Sequence, residues 1–189
     1  MIHHYSAIFK EVLIRPLERT DIELLRNWRN DTEKSKFLCP VGYIDKEMQE
    51  KWFENYIKNE RSLIFAIEEL DDLKRVVGSL SLYNWDKSNH ICEIGKIQIG
   101  DSAAHGRGIG RNVFVMAMKI AFRKLGIQKI ISSVHPDNIP AYRNYMKIGF
   151  TVIGNAPSVV SGEELLLEIC EETVCAKNNY YSQIELSIL

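Results

Sequence analysis

Apolar and polar positions along this chain follow two periods, two residues where a strand is expected and three to four where a helix is. The run 12–17, Val-Leu-Ile-Arg-Pro-Leu, predicts a strand that ends near Pro16. Thr20 and Glu23 have capping-box spacing and predict a helix with Leu24, Leu25 and Trp28 on one face. Asp45 is placed to cap a second helix, whose apolar stripe is Met48, Trp52, Phe53, Tyr56 and Ile57. Strands are then expected over 62–69, 75–85 and 91–99, with polar turns at Asp71-Asp72 and over 86–89. In the last of these, strict alternation puts Ile91, Glu93, Gly95, Ile97 and Ile99 on one face and Cys92, Ile94, Lys96 and Gln98 on the other.

The period turns helical over 108–125, with Val113, Met116, Ala117, Ile120 and Ala121 inward and Gly126 placed to end the helix. A buried strand over 129–134, a turn over 135–138, a short helix opened by Pro140 and closed by Gly149, and a strand over 150–153 come next. A final strand is expected over 181–189, while the pattern is least legible over 156–179. No repeat, low-complexity tract or linker divides the chain, so one domain over residues 1–189 is expected.

Composition narrows the classes of function. A chain of 189 residues that is 46% hydrophobic can bury a core without covalent cross-links. Its formal net charge of -1 gives no electrostatic reason to expect nucleic acid or an anionic membrane as partner; a small molecule or a local peptide fits better. Cys39, Cys92, Cys170 and Cys175 lack the spacing of a zinc ribbon or redox dithiol, so free thiols in a reducing cytoplasm and no metal are expected. Residues 1–10 lack the basic run and apolar stretch of a signal peptide, and no apolar run reaches about 18 residues, which predicts a soluble, cytoplasmic protein.

The segment His105-Gly106-Arg107-Gly108-Ile109-Gly110 lies between a strand and an amphipathic helix. The first amides of a helix have no intrahelical partner and the dipole favours negative charge, so such a loop is suited to a pyrophosphate. A Walker loop would need Lys-Ser/Thr after its last glycine, where this chain has Arg111-Asn112. A dinucleotide fold would need Gly-x-Gly-x-x-Gly and an acidic end to the next strand, and neither is present. A tight turn that holds no ligand also satisfies the glycines.

Three segments together resemble the GNAT acetyltransferase superfamily: this loop, the element from Asn138 to Phe150 (Asn-Ile-Pro-Ala-Tyr-Arg-Asn-Tyr-Met-Lys-Ile-Gly-Phe), and Glu93-Ile94-Gly95 with Ile99-Gly100. The loop departs from the family pattern in having His105 where arginine or glutamine is usual. The resemblance implies an α/β (α+β) fold: a mixed, mostly antiparallel sheet with its fourth and fifth strands splayed and helices on both faces. It further implies acetyl-CoA as co-substrate, bound by Gln98, Ile99, residues His105 to Arg111 (His105, Gly106, Arg107, Gly108, Ile109, Gly110, Arg111) and Asn138, although Asn138 also suits a helix cap.

By the same resemblance the amine attacks the thioester directly. An alkylammonium with a pKa of about 10.4 is only about a thousandth neutral at pH 7, so a base is needed. Glu93 is the leading candidate, with His90 and Asp86 behind it, and Tyr145 matches the position of the acid that serves the departing thiolate. Ile99 is the expected backbone donor to the acetyl oxygen. Trp28-Arg29-Asn30 is similar to members that acetylate amino-sugar nucleotides and makes Trp28 and Arg29 candidate acceptor-binding residues. The expected acceptor is a small amine (amino-sugar nucleotide, polyamine or amino acid); a protein N-terminus of the ribosomal-protein type, or acetyl-CoA binding without turnover, are the alternatives. A homodimer is a further expectation.

Overall fold

The computed structural model describes residues 3–158, 160 and 162–188. Nine strands form one sheet: β1 Tyr5–Phe9, β2 Val12–Pro16, β3 Leu63–Glu69, β4 Arg75–Asp86, β5 Ile91–Ile99, β6 Lys129–Val134, β7 Thr151–Pro157, β8 Glu163–Cys170 and β9 Glu185–Ile188. Their order across the sheet is β7-β8-β6-β5-β4-β3-β2-β1-β9. Every neighbouring pair is antiparallel except β5 and β6, which are parallel. The other elements are the helices α1 Ile22–Asn30, α2 Thr32–Ser35, α3 Lys46–Tyr56, α4 Ile109–Lys124, α5 Ile139–Ile148 and α6 Glu171–Lys177. A parallel step needs a crossover, and α4 supplies the one between β5 and β6.

The period of two in β3 explains the layering. Phe65 and Ile67 pack into the large core with α4, whereas Ala66, between them, joins Leu17, Ile22, Phe53 and Tyr56 beneath α1 and α3. Helices therefore cover both faces. On α4 the five residues expected inward are fully buried, and so are Val115 and Met118, because α6 and the 3-10 turn at Tyr181–Gln183 cover its outer side; a helix apolar nearly all round is a buried one.

Several expectations are corrected. The capping box belongs to Glu18 and Asp21, not Thr20 and Glu23, because a 3-10 turn at Arg19–Asp21 precedes α1. Asp21 is also gripped by both terminal nitrogens of Arg15, at 2.7 and 2.9 Å, while Glu23 pairs with Arg26. That later start turns Ile22, Arg26 and Trp28 inward and leaves Leu24 40% exposed. On α3, Asp45 caps as expected by accepting from the Met48 amide at 2.8 Å, but Phe53 and Tyr56 carry the burial and Met48 and Trp52 are exposed. β1, β8 and α6 have no counterpart in the expected elements. The last strand is shorter than expected, and Leu189 lies outside the described residues.

Candidate active site

β5 carries a bulge that decides the geometry of the site. Ser79 of β4 pairs with Gln98, yet Ser81 pairs with Gly95, so β5 has one residue too many, and Lys96 takes a φ of 51° to absorb it. The faces therefore exchange within the strand. Cys92 and Ile94 enter the α4-side core before the bulge, but Ile97 and Ile99 pack against that core after it. The face expected to join Glu93 with Ile97 and Ile99 does not exist; Glu93 looks the other way, beside Tyr83, its register partner on β4.

The parallel ladder between β5 and β6 extends only from Ile91–Lys129 to Glu93–Ile131. Beyond it the strands diverge, so the splay expected of the fourth and fifth strands falls on β5 and β6 because β1 precedes the first expected strand, and a cleft of about 1510 Å³ opens between them. Ser132 on β6 still reaches across, its hydroxyl 2.7 Å from the Ile94 carbonyl oxygen and 2.9 Å from the Tyr145 hydroxyl. Tyr145 is held on α5 by edge-on contacts with Phe114 and Phe150 and is only 6% exposed. Burial pushes its pKa up to about 12, against the opposing pull of the Ser132 hydrogen bond. The phenol thus holds its proton at neutral pH.

The loop before α4 lies along the same cleft. Gly106 and Gly108 adopt φ of 76° and 75°, which glycine takes without strain, and Gly108, the N-cap, offers no side chain to the helix amides. Gly110 differs: its backbone is helical, and a Cβ there would meet no protein atom within 4 Å. Nothing in the chain's own packing demands glycine at 110, so the open space suits a ligand that must approach the backbone closely. His105 anchors this loop. Its Nε2 donates to the Ile99 carbonyl oxygen at 2.8 Å and pins the loop to the end of β5.

Of the residues expected at the site, Glu93, Gln98, Ile99, His105, Gly106, Gly108, Ile109, Gly110, Arg111, Asn138 and Tyr145 line the cleft. The side chains of several of the expected residues are engaged within the chain itself. Gln98 is buried and donates to the Trp28 and Lys34 carbonyl oxygens, tying α1 and α2 to β5. Arg107 turns outward to Asp72, at 2.8 Å. Arg111 donates to Asn178 at 2.9 Å, docking α4 on the segment after α6. Asn138 caps α5 through the Ala141 amide.

Neither candidate acceptor residue is in the cleft. Trp28 is buried under Gly100, and Arg29 donates to the Cys39 carbonyl oxygen, shaping the loop after α2. His90 and Asp86 serve turns, His90 through the Gly126 carbonyl oxygen and Asp86 through Ser88 and Asn89. Among the described residues no group of three or more His, Cys, Asp or Glu side chains is placed to hold a metal ion.

The structure adds wall residues that the sequence pattern did not single out: Tyr83, Glu164, Ser132, Phe37, Arg143 and Lys147. Ser132 carried a signal, a polar residue at a buried parity of a strand. Arg143 and Lys147 lie inside the recognised Asn138–Phe150 element; Glu164 falls in the illegible 156–179 stretch. Tyr83 has its pKa raised, by burial first and then by Glu93, Tyr145 and Glu164. Glu93 and Glu164 thus place carboxylates on the face opposite α4, beside the Lys96 ammonium, while Arg143 and Lys147 sit on α5 with the loop amides at the other end.

Residues 11–151 match the family described as an acetyltransferase (GNAT) domain. Among curated proteins, the chain is 24% identical to an N-acetyltransferase 9-like protein of Nematostella vectensis over 75% of its own length and 62% of that relative's. It is 26% identical to the uncharacterized N-acetyltransferase YnaD of Bacillus subtilis (strain 168), over 74% of its length and 79% of YnaD's. The chain thus spans less than two thirds of the first of these. Among solved structures, a spermidine N-acetyltransferase from Vibrio cholerae, in complex with CoA and spermine, superposes with a TM-score of 0.78 at 21% identity, covering 87% of this chain and 98% of that one. A domain from Methanocaldococcus jannaschii gives 0.70 at 23% identity, with coverage of 84% and 97%.

Proposed function

This chain belongs to the GNAT acetyltransferase family, and on that premise we propose that it transfers the acetyl group of acetyl-CoA directly to a primary amine of a small molecule. The observation that carries the reading is the splay itself. One wall presents the protonated Tyr145, the opposite face presents Glu93, and the glycine loop at the α4 N-terminus lies along the same cleft.

The residues present fit acetyl-CoA. Free amides at the start of α4, the open face at Gly110 and the cations Arg143 and Lys147 suit a pyrophosphate and its further phosphate. Acetyl-CoA supplies the activated acyl group; the rest is done by the chain. The edge of β5 past Glu93 faces the cleft without a strand against it, which suits its backbone amides, with Ile99's the donor expected from the family pattern, to stabilise charge on the acetyl oxygen. Glu93 takes the proton of the ammonium. Tyr145 donates a hydrogen bond to the departing sulfur. Full transfer of its proton is uphill, since a thiol pKa of about 8.5 lies well below that of this phenol. Donation from Ser132 to the phenol oxygen reduces that gap.

A small acceptor is favoured by Phe37, whose ring lies 5.7 Å from that of His135 and bridges the two walls of the cleft. Glu93 and Glu164, beside Lys96, offer carboxylates to an ammonium, and the Vibrio cholerae structure with spermine bound is of a spermidine N-acetyltransferase. Thiol release from acetyl-CoA, followed with polyamines, amino-sugar nucleotides, amino acids and N-terminal peptides, tests this. Release with a small amine and none with peptides is expected; release with peptides alone would replace the small-molecule reading by protein N-terminal acetylation, and tight CoA binding with no release would leave a binding module.

A further inference from the structure

Tyr83 stands where the sheet splits, and four features of its surroundings fix its phenol beside Glu93. It is the register partner of Glu93 across the β4/β5 ladder. Its hydroxyl hangs over Gly95, where a Cβ would lie 3.2 Å from the oxygen, so the glycine at the bulge is what makes room for the phenol. Asn84, with a φ of 50° beside a second register shift, turns back to donate to Glu93 Oε1 at 2.7 Å and fixes the carboxylate next to the ring. The Lys96 ammonium lies 4.2 Å from the ring centroid and holds it in place. Both Tyr83 and Glu93 line the cleft on the face opposite Tyr145.

We propose that Tyr83 is a proton-relay residue between the acceptor ammonium and Glu93, an inference that rests on the acetyl-transfer reading above. As the ammonium N–H bond breaks, its proton joins the Tyr83 oxygen while the original phenolic proton passes to the Glu93 carboxylate. The products are a neutral amine with a free lone pair, an intact phenol and a protonated Glu93, so charge and protons balance. Burial and the adjacent carboxylates raise the phenol pKa, and no free phenolate forms on the way; the two transfers are concerted.

Tyr83→Phe keeps the ring and removes only the hydroxyl, and Glu93→Gln keeps the shape of the carboxylate. With an alkylamine that wild type acetylates, Tyr83→Phe is expected to lower kcat/KM by about tenfold or more near pH 7. The loss should shrink as pH rises, and nearly vanish for an amine already neutral at the assay pH, while the Kd for CoA stays unchanged. Glu93→Gln should show the same profile, and the double variant little further loss. Full activity of Tyr83→Phe beside an impaired Glu93→Gln overturns the relay alone, as does an equal loss for basic and neutral amines. Full activity of Glu93→Gln overturns the base and the relay with it; a wild type that releases no thiol with any amine overturns the acetyl-transfer reading itself.

Discussion

Ser132 has one hydroxyl proton and two acceptors within reach, the Ile94 carbonyl oxygen and the Tyr145 phenol oxygen. Directed at Tyr145, it stabilises negative charge on the phenol and eases donation toward the sulfur. Tyr145→Phe is expected to reduce kcat by about 10- to 100-fold, the range of a hydrogen bond to a charged group rather than of full protonation. Ser132→Ala should lose part of that, and the pair together no more than Tyr145→Phe alone, measurable as steady-state rates at saturating acetyl-CoA. A second residue matters for stability instead. His3 Nε2 donates to the Ile64 carbonyl oxygen at 3.0 Å, and burial lowers the pKa of the ring from 6.5 to about 4. A base with a depressed folded pKa gives stability that is complete above the unfolded value and lost as pH falls through the folded one. Resistance to urea should therefore weaken between pH 6.5 and 4, by at most about 3 kcal/mol from this group, and His3→Gln, which retains a donor, should flatten that slope.

Two glycines separate what the elements need from what the ligand needs. A Cβ at Gly100 would lie 1.9 Å from the Trp28 ring, and Trp28 is buried, so Gly100→Ala should destabilise by about 1–3 kcal/mol through overpacking. A Cβ at Gly110 meets nothing in the chain, and its position is helical, so Gly110→Ala should leave stability unchanged or raise it by about 0.4–1 kcal/mol, read as the thermal midpoint. Its effect on function should appear only as weaker CoA binding by titration calorimetry; equal affinity would show that the open face serves no ligand. The helical periods of α3, α4 and α5 and the loop between strand and helix were legible, because each is fixed by neighbours within a few residues. β8 was not: its Leu-Leu-Leu run over 165–167 alternates between two covered faces and shows no period of two. The short helix α2 and the 3-10 turn before α1 are set by side chains from Asp31 and Arg15, and the turn shifts the phase of α1 after it.

At the scale of the molecule a net charge of -1 conceals a highly charged cleft, with Glu93, Glu164 and Lys96 on one face and helix amides, Arg143 and Lys147 on the other side of the splay. A ligand that binds only the folded chain stabilises it by about 2.7 kcal/mol at 100 times its Kd. For a chain of this size CoA at that level should raise the thermal midpoint by roughly 5–10 °C, and Gly110→Ala should need more CoA for the same shift.

The sequence by itself determined the extents of β2 to β6 and of α3 to α5, the glycine loop at a helix N-terminus, and the place of Tyr145 two helical turns after Asn138, since these depend on spacing along the chain. Only the tertiary structure decided which side chains meet. The bulge at Lys96 parted Ile97 and Ile99 from the face of Glu93, and the β4/β5 register set Glu93 beside Tyr83. Packing withdrew the side chains of Trp28, Gln98 and Arg107 from the ligand, and β8 brought Glu164 to the cleft. Such outcomes rest on partners well outside the local period, Tyr83 for Glu93 and Trp28 for Gln98, and a local period carries no record of a contact at that distance.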